Sequence, residues 1–177
     1  IATWNVNSLK VRLPHLLQWL ETNPVDVLCL QETKLEDDKF PLAEINAAGY
    51  QVAFSGQKTY NGVAILSKHP ITDVVRNNPR FEDPQQRILA ATIEGMRFIS
   101  AYVPNGQAVD SDKYVYKLAW LPPLVGRGPA LHELSDRGNP GGAQQLAELA
   151  ELVVLVHSGA QHGDDEPALG LRSGRGV

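Results

Sequence analysis

Two oxygen-bearing side chains stand where apolar runs stop. Asn5 follows Ile1 to Trp4, and Glu32 follows the run from Val25 to Gln31. Both runs read as neighbouring strands, and in α/β sheets the strand ends are where ligands gather. One carboxylate and one amide oxygen, with water in the other positions, suit a hard octahedral cation such as Mg²⁺ far better than zinc. The competing reading has Asn5 capping the next turn and Glu32 solvated at a strand end. A third candidate is Tyr102-Val103-Pro104-Asn105-Gly106, where a strand carries Tyr102 to its end and turns on Pro and Gly. A phenol there can donate to a phosphate, or act on it as phenolate, and Asn105 can offer an amide hydrogen to a phosphate oxygen. The alternative is a tyrosine packed at the sheet rim with its hydroxyl in water.

Holding these groups takes a strand, a helix and a second strand in succession. Ile1 to Val6 is strand-like, and Asn7 and Ser8 supply turn and cap chemistry before a helix with Leu13, Leu16, Leu17 and Leu20 on one face. Pro14 suits only its first turn. Asn23-Pro24 ends that helix, and Val25 to Leu30 has the continuous apolarity of a strand covered on both faces, which predicts a right-handed crossover unit. Asp37 and Asp38, Leu42 and Ile45, then Ala48-Gly49 predict a short helix with an acidic start and a glycine stop. Beyond it the period becomes two. Tyr50 to Phe54, Val63 to Leu66, Ile88 to Ile93 and Arg97 to Val103 read as strands, the last two joined by a Glu94-Gly95 hairpin turn. Ser55 to Gly62 and Asn77 to Gln86 are turn-rich connections. Tyr114 to Leu121 is helical in pattern, with a break predicted at Pro122-Pro123.

Composition bounds these readings. A chain of 177 residues, 43% hydrophobic and 20% charged, can bury a core of its own, which excludes disorder, collagen and repeat arrays. Its single cysteine, Cys29, excludes a disulfide framework and a zinc site of several thiolates. No stretch approaches the eighteen or so apolar residues of a membrane span, and no basic-then-apolar leader opens the chain. The expectation is a soluble, cytoplasmic protein whose N-terminus reads as clipped, Ile1 standing where an initiator Met would be. The alphabet changes near Leu121: all 12 Phe, Trp and Tyr and all seven Lys precede it, whereas 10 of 15 Gly follow it. Lys and Arg number 12 against 13 Asp and Glu up to Trp120 and 4 against 7 thereafter, so an anionic partner must be met by a local patch.

Past that point, Leu124 to Gly142 shows only Gly, Pro and polar punctuation. Ala143 to Val156 fits a helix or a helix running into a strand, and residues 157–177 are predicted to be disordered. The whole stretch 122–177 has the composition of a GC-rich coding sequence read out of frame.

Four blocks in register carry a specific resemblance: Ala2 to Leu9 (ATWNVNSL), Pro24 to Lys34 (PVDVLCLQETK), Gly56-Gln57-Lys58 with Asn61 to Leu66 (NGVAIL), and Tyr102 to Gly106 (YVPNG). In this order and spacing the chain resembles the N-terminal half of a bacterial member of the exonuclease III family, DNA repair nucleases and apurinic/apyrimidinic (AP) endonucleases, over residues 1–121. The resemblance implies a four-layer α-β-β-α sandwich, DNase I-like, with the site between the strand ends. It also implies Mg²⁺, or Mn²⁺, as cofactor and double-stranded DNA with abasic or damaged 3′ ends as partner. Carried over by position, Asn5 and Glu32 are metal ligands, Tyr102 is the catalytic tyrosine beside the scissile phosphate, Asn105 is a phosphate contact, and Arg87 in Gln85-Gln86-Arg87-Ile88 is a basic position near the DNA. A solvated arginine at a strand start is the competing reading for Arg87.

Two family strings are missing from the sequence. Relatives carry Gly-Asp-Phe/Met/Leu-Asn at a strand end after the helix holding Tyr116 to Leu121, and Ser-Asp-His near the C-terminus; Ser135-Asp136-Arg137 and Gly163-Asp164-Asp165-Glu166 match neither. No general base and no second carboxylate are therefore found, and the chain alone is expected to lack nuclease activity. Two alternatives stand beside the nuclease: a non-catalytic DNA-binding or interaction fragment, and a phosphatase or phosphodiesterase of the same superfamily. If residues 1–121 supply mostly one sheet, its inner face lacks a partner, which predicts an aggregation-prone fragment, or a monomer with a loosely docked tail.

Overall fold

In the computed structural model, which describes residues 1–79, 81–109, 111–125, 152–158 and 168–169, successive residues of one buried strand face two different apolar layers. In β2 (Val27–Gln31), Leu28 and Leu30 join one layer and Val27 and Cys29 the other. The two-residue side-chain period makes this division automatic. Leu28 and Leu30 pack with Ala2 and Trp4 of β1 (Ala2–Asn5), with Leu9, Leu16 and Leu20 of α1 (Leu9–Thr22) and with Ile45 of α2 (Leu42–Ala47). Val27 and Cys29 meet a second sheet through Leu89, Ala91, Ile93 and Phe98.

The first sheet has the order β3-β4-β2-β1-β9, adding β3 (Gln51–Ser55), β4 (Val63–Ser67) and β9 (Ala168–Leu169). The second, β5-β6-β7-β8, comprises β5 (Thr72–Arg76), β6 (Ile88–Ile93), β7 (Met96–Val103) and β8 (Leu152–Ser158). A third apolar layer lies on its outer side, where Ile88, Ala90, Ile99, Ala101 and Val103 pack with Trp120 of α3 (Asp112–Val125). Helices, sheet, sheet, helix is the four-layer α-β-β-α order. Parallel pairing of β1 with β2 sets Asn5 beside Gln31, so Asn5 and Glu32 end on one rim.

Several expectations are corrected. The first sheet does not lack a cover, because β5, β6 and β7 already form most of a second one. The Thr72–Arg76 strand was not expected: it is an edge strand with a register irregularity between Thr72 and Val75 and Asp73 at φ +49°, which breaks the alternation. α3 does not break at Pro122-Pro123 but runs to Val125; the two prolines fall in its last turn, where they forfeit bonds to only two carbonyls. Pro14 stands in the second turn of α1, not the first. Ser8 makes no side-chain cap; the backbone N–H groups of Ser8 and Leu9 instead donate to the carbonyls of Glu32 and Thr33 at 2.8 and 3.0 Å. Of the segment from Ala143 to Val156, the strand portion is β8, and the rest lies outside the described residues. Of residues 157–177, predicted to be disordered, His157 and Ser158 complete β8 and Ala168–Leu169 pair with β1; the others lie outside the described residues. No helix among the described residues is long and apolar enough to cross a membrane.

Phe98 is fully buried between the sheets. Phe98→Ala is expected to lower the unfolding free energy by about 3–5 kcal/mol, measured by urea titration. A loss below about 1 kcal/mol would mean that the sheets do not pack face to face as described.

Candidate metal and phosphate site

The end of β2 is a sharp turn in costly backbone. Glu32 and Lys34 both have positive φ, +54° and +53°, as do Asn7 at +43° and Ser8 at +96° across the gap. Left-handed backbone costs an L-residue about 1–2 kcal/mol. Here it is offset by four backbone bonds into the turn: Ser8 and Leu9 donate to Glu32 and Thr33, while Thr33 and Lys34 donate to Gly62 and Asn61 at 3.2 and 2.9 Å. Gly62 is obligatory at φ +87°, since a Cβ there would stand 2.2 Å from Thr33 Oγ1.

One residue earlier, Gln31 ties the layers together. Its buried amide donates to Thr3 Oγ1 of β1 at 3.0 Å and to Ser100 Oγ of β7 at 3.2 Å, and Ser100 Oγ donates to the Leu30 carbonyl at 3.3 Å. This polar bridge between sheets was hidden within an apolar run. It fixes the separation of Glu32 from β7, and hence from Tyr102.

The turn brings together Asn5, Glu32 and Tyr102 as expected, and adds Lys34. Asn5 Nδ2 donates to Glu32 Oε1 at 2.8 Å, and Asn5 Oδ1 accepts the Asn7 N–H at 3.1 Å. Asn5 therefore caps the following turn, one of the two readings of this side chain, and its amide is fixed against Glu32. Lys34 Nζ pairs with Glu32 Oε2 at 2.9 Å and donates to Asn7 Oδ1 at 2.5 Å. The Tyr102 phenol stands beside the same carboxylate, and each influences the other's titration. Burial raises the Glu32 pKa, but hydrogen bonds from Asn5, Lys34 and Tyr102, with the Lys34 charge, outweigh it and hold the group below the ordinary carboxylate value. Burial pushes the Tyr102 phenol up to about 12, reinforced by Glu32 and opposed by Arg87. At neutral pH Tyr102 is a proton donor; the phenolate form is disfavoured.

Arg87 is not a solvated strand-start arginine. Its Nε and Nη2 donate to Gln85 Oε1 at 3.0 and 2.8 Å, its Nη1 to the Tyr102 carbonyl at 3.3 Å, and its Cζ lies 4.8 Å from the Tyr102 ring centroid. Gln85 Oε1 also accepts Asn61 Nδ2 at 3.1 Å, which links Arg87 to the turn at Gly62. Asn105 is exposed past β7, its Oδ1 accepting the Gln107 N–H at 2.9 Å, so its NH₂ end is the donor presented outward.

A hard cation fits this donor set. Glu32 and Asn5 supply oxygens only, Asn5 Oδ1 keeps a second lone pair, and an ammonium already sits against the carboxylate. No cluster of three or more His, Cys, Asp or Glu suited to a metal exists among the described residues; Mg²⁺ tolerates water or phosphate oxygens in the positions that Glu32 and Asn5 would leave open. The second carboxylate that relatives supply from a strand end has no counterpart string. β8 lies beside β7, His157 opposite Tyr102 and Ser158 opposite Val103.

Because the folded pKa of Glu32 is lowered, its contribution to stability is present above its ordinary value of 4.5 and is lost as pH falls through the lowered one. In chelator-treated buffer, wild type is expected to lose stability between about pH 5 and pH 3, and Glu32→Gln is expected to lose less over the same range. Parallel losses in urea midpoints would contradict the geometry given for Glu32.

Comparison with known proteins agrees with this fold. Residues 2–164 match the Endonuclease/Exonuclease/phosphatase family, a span that passes Leu121 and takes in β8, so the likeness is longer than the four sequence blocks suggest. Exodeoxyribonuclease III of Haemophilus influenzae is 37% identical over 112 residues, 60% of this chain and 42% of that protein. Among solved structures, the 3′ phosphatase NExo from Neisseria, bound to a product DNA hairpin, superposes with a TM-score of 0.72 at 44% identity, covering 88% of this chain and 55% of that one. An AP endonuclease from Archaeoglobus fulgidus gives 0.66 at 47% identity, covering 68% and 47%. The chain spans about half the length of the curated relatives it matches. With its layers, its strand-end rim and the length of this match in agreement, the chain belongs to the Endonuclease/Exonuclease/phosphatase family.

Proposed function

We propose that the chain carries the cation- and phosphate-binding half of a metal-dependent DNA repair nuclease of the exodeoxyribonuclease III type, acting in the cytoplasm on double-stranded DNA with abasic sites or damaged 3′ ends. The observation that carries the reading is the convergence of Asn5, Glu32, Tyr102 and Arg87 on one rim, drawn from both sheets. Glu32 and Asn5 would hold Mg²⁺, with Mn²⁺ as the substitute, and the ion would supply neutralisation of phosphate charge. Tyr102, protonated and set beside Glu32, donates toward a phosphate oxygen once that oxygen displaces the carboxylate as acceptor. Arg87 brings fixed positive charge to the same place, and Asn105 donates from the rim.

A general base is the component for which the sequence offers no candidate string. Its loss costs about 10²- to 10⁴-fold in rate, so the 177-residue chain alone is a binder of damaged DNA with no detectable cleavage. Support for DNA over a lipid or sugar phosphate comes from the Gln57-Lys58 and Tyr102 to Gly106 blocks and from relatives named for DNA substrates.

The test uses a fluorescent abasic-site duplex and a 3′-phosphate duplex in Mg²⁺. Saturable binding weakened by Glu32→Ala, without strand cleavage or phosphate release, is expected. Absence of binding to both would overturn the DNA reading, and Mg²⁺-dependent cleavage abolished by Glu32→Ala would overturn the claim that the chain alone is inactive.

A further inference from the structure

Arg87 has a second aromatic neighbour that the reading above does not use. Tyr116, on α3, presents its ring 5.9 Å from Arg87 Cζ, on top of the 4.8 Å approach of Tyr102. The Tyr116 hydroxyl donates to Asp83 Oδ2 at 2.5 Å. The result is a row: Tyr102 beside Glu32, Arg87 between the two aromatic rings, and Tyr116 donating to Asp83. Tyr116 commits its one proton to Asp83, which leaves its phenol oxygen as an acceptor on the side of the guanidinium.

The far half of the row is anchored independently of the near half. Trp120, one turn along α3 from Tyr116, is buried against the outer face of β6 and β7, and Phe81 lies 6.3 Å from the Tyr116 ring. Asp83 itself is tied into its loop, its Oδ1 accepting the Gln85 N–H at 2.9 Å while the side chain of Gln85 holds Arg87. A flexible arginine at a strand start would sample several rotamers; here one face is set by Tyr102, another by Tyr116, and the Nε edge by Gln85.

We propose that Asp83 and Tyr116 are positioning residues that hold Arg87 in place against Tyr102, so that guanidinium and phenol meet a phosphodiester as one prearranged unit. This inference rests on the DNA reading for the identity of the anion, but the arrangement of Arg87 can be tested without it. A prearranged donor loses less freedom on binding than a mobile one, so breaking the far half of the row should weaken binding with Arg87 and Tyr102 both intact.

Three variants of the full chain separate positioning from stability. Tyr116→Phe removes the phenol-to-carboxylate bond beside Arg87, and Asp83→Asn leaves a single amide oxygen for the two donors, the Tyr116 hydroxyl and the Gln85 N–H, that the carboxylate serves. Tyr50→Phe removes a comparable bond elsewhere, from Tyr50 Oη to the Val25 carbonyl at 2.7 Å. Affinity for the abasic duplex in Mg²⁺ is expected to fall about tenfold in the first two and to stay unchanged in Tyr50→Phe. NMR of the Arg87 side chain should show ring-current-shifted δ protons and a slowly exchanging Nε–H in wild type and Tyr50→Phe, both moving toward free-arginine values in Tyr116→Phe and Asp83→Asn. Unchanged Arg87 resonances in those two variants, or an equal affinity loss in Tyr50→Phe, would overturn the proposal. If wild type binds no DNA, the nuclease reading fails, while the Arg87 resonances still decide the positioning claim.

Discussion

Glu32 occupies left-handed backbone at the end of a strand buried on both faces, and much of the first hundred residues serves to hold it there. Without compensation the turn would relax, because a non-glycine residue at φ +54° gains by returning to an ordinary region. Compensation comes from three directions: the start of α1 donates two backbone N–H groups, the segment before β4 accepts two, and Gln31 bridges β1 to β7 just behind. The strain places a carboxylate in front of the sheet instead of within it, where both Asn5 and Tyr102 reach it.

Electrostatics then explains why the carboxylate stays ionised although half-buried. Three groups face Glu32, one of them the Lys34 ammonium, and together they outweigh the cost of taking it from water. The Asn5 amide is the largest single lowering influence, and Lys34, itself held by Asn7, adds both a hydrogen bond and its charge. The divalent cation proposed for this site would meet Glu32 where an ammonium already stands. On the other side of Tyr102, Arg87 supplies the opposite polarity for a phosphate. One phenol thus stands between an anionic group and a cationic one.

Much of this was legible in the sequence, for identifiable reasons. β2, β4, β6 and β7 are buried, so their apolar runs are long and their period is unambiguous. Glu32 and Tyr102 stand at the ends of β2 and β7, and Asn5 at the end of β1, where a change from apolar to polar residues is easiest to see. What escaped depends on partners distant in the chain. Gln31 reads as the last residue of an apolar run until Thr3 and Ser100 are brought to it from two other strands. Asp83 and Tyr116 lie 33 positions apart, one in a turn-rich connection and one on a helix, with no spacing rule to join them. β5 escaped because an irregular edge strand has few buried side chains, and the run of α3 through two prolines escaped because the cost of proline depends on where the helix stops.

The central claim is that one rim, built from the ends of both sheets, gathers a cation at Glu32 and Asn5 next to Tyr102. Titrating the isotopically labelled chain with Mn²⁺ tests it most directly, since the paramagnetic ion broadens nuclear resonances steeply with proximity. Selective loss of the Asn5 and Glu32 signals, then those of Lys34 and Tyr102, reversed by excess Mg²⁺ and absent in Glu32→Ala, is the predicted result. Broadening centred on the exposed acidic residues Asp37 and Asp38, or spread evenly over the surface, would contradict the account.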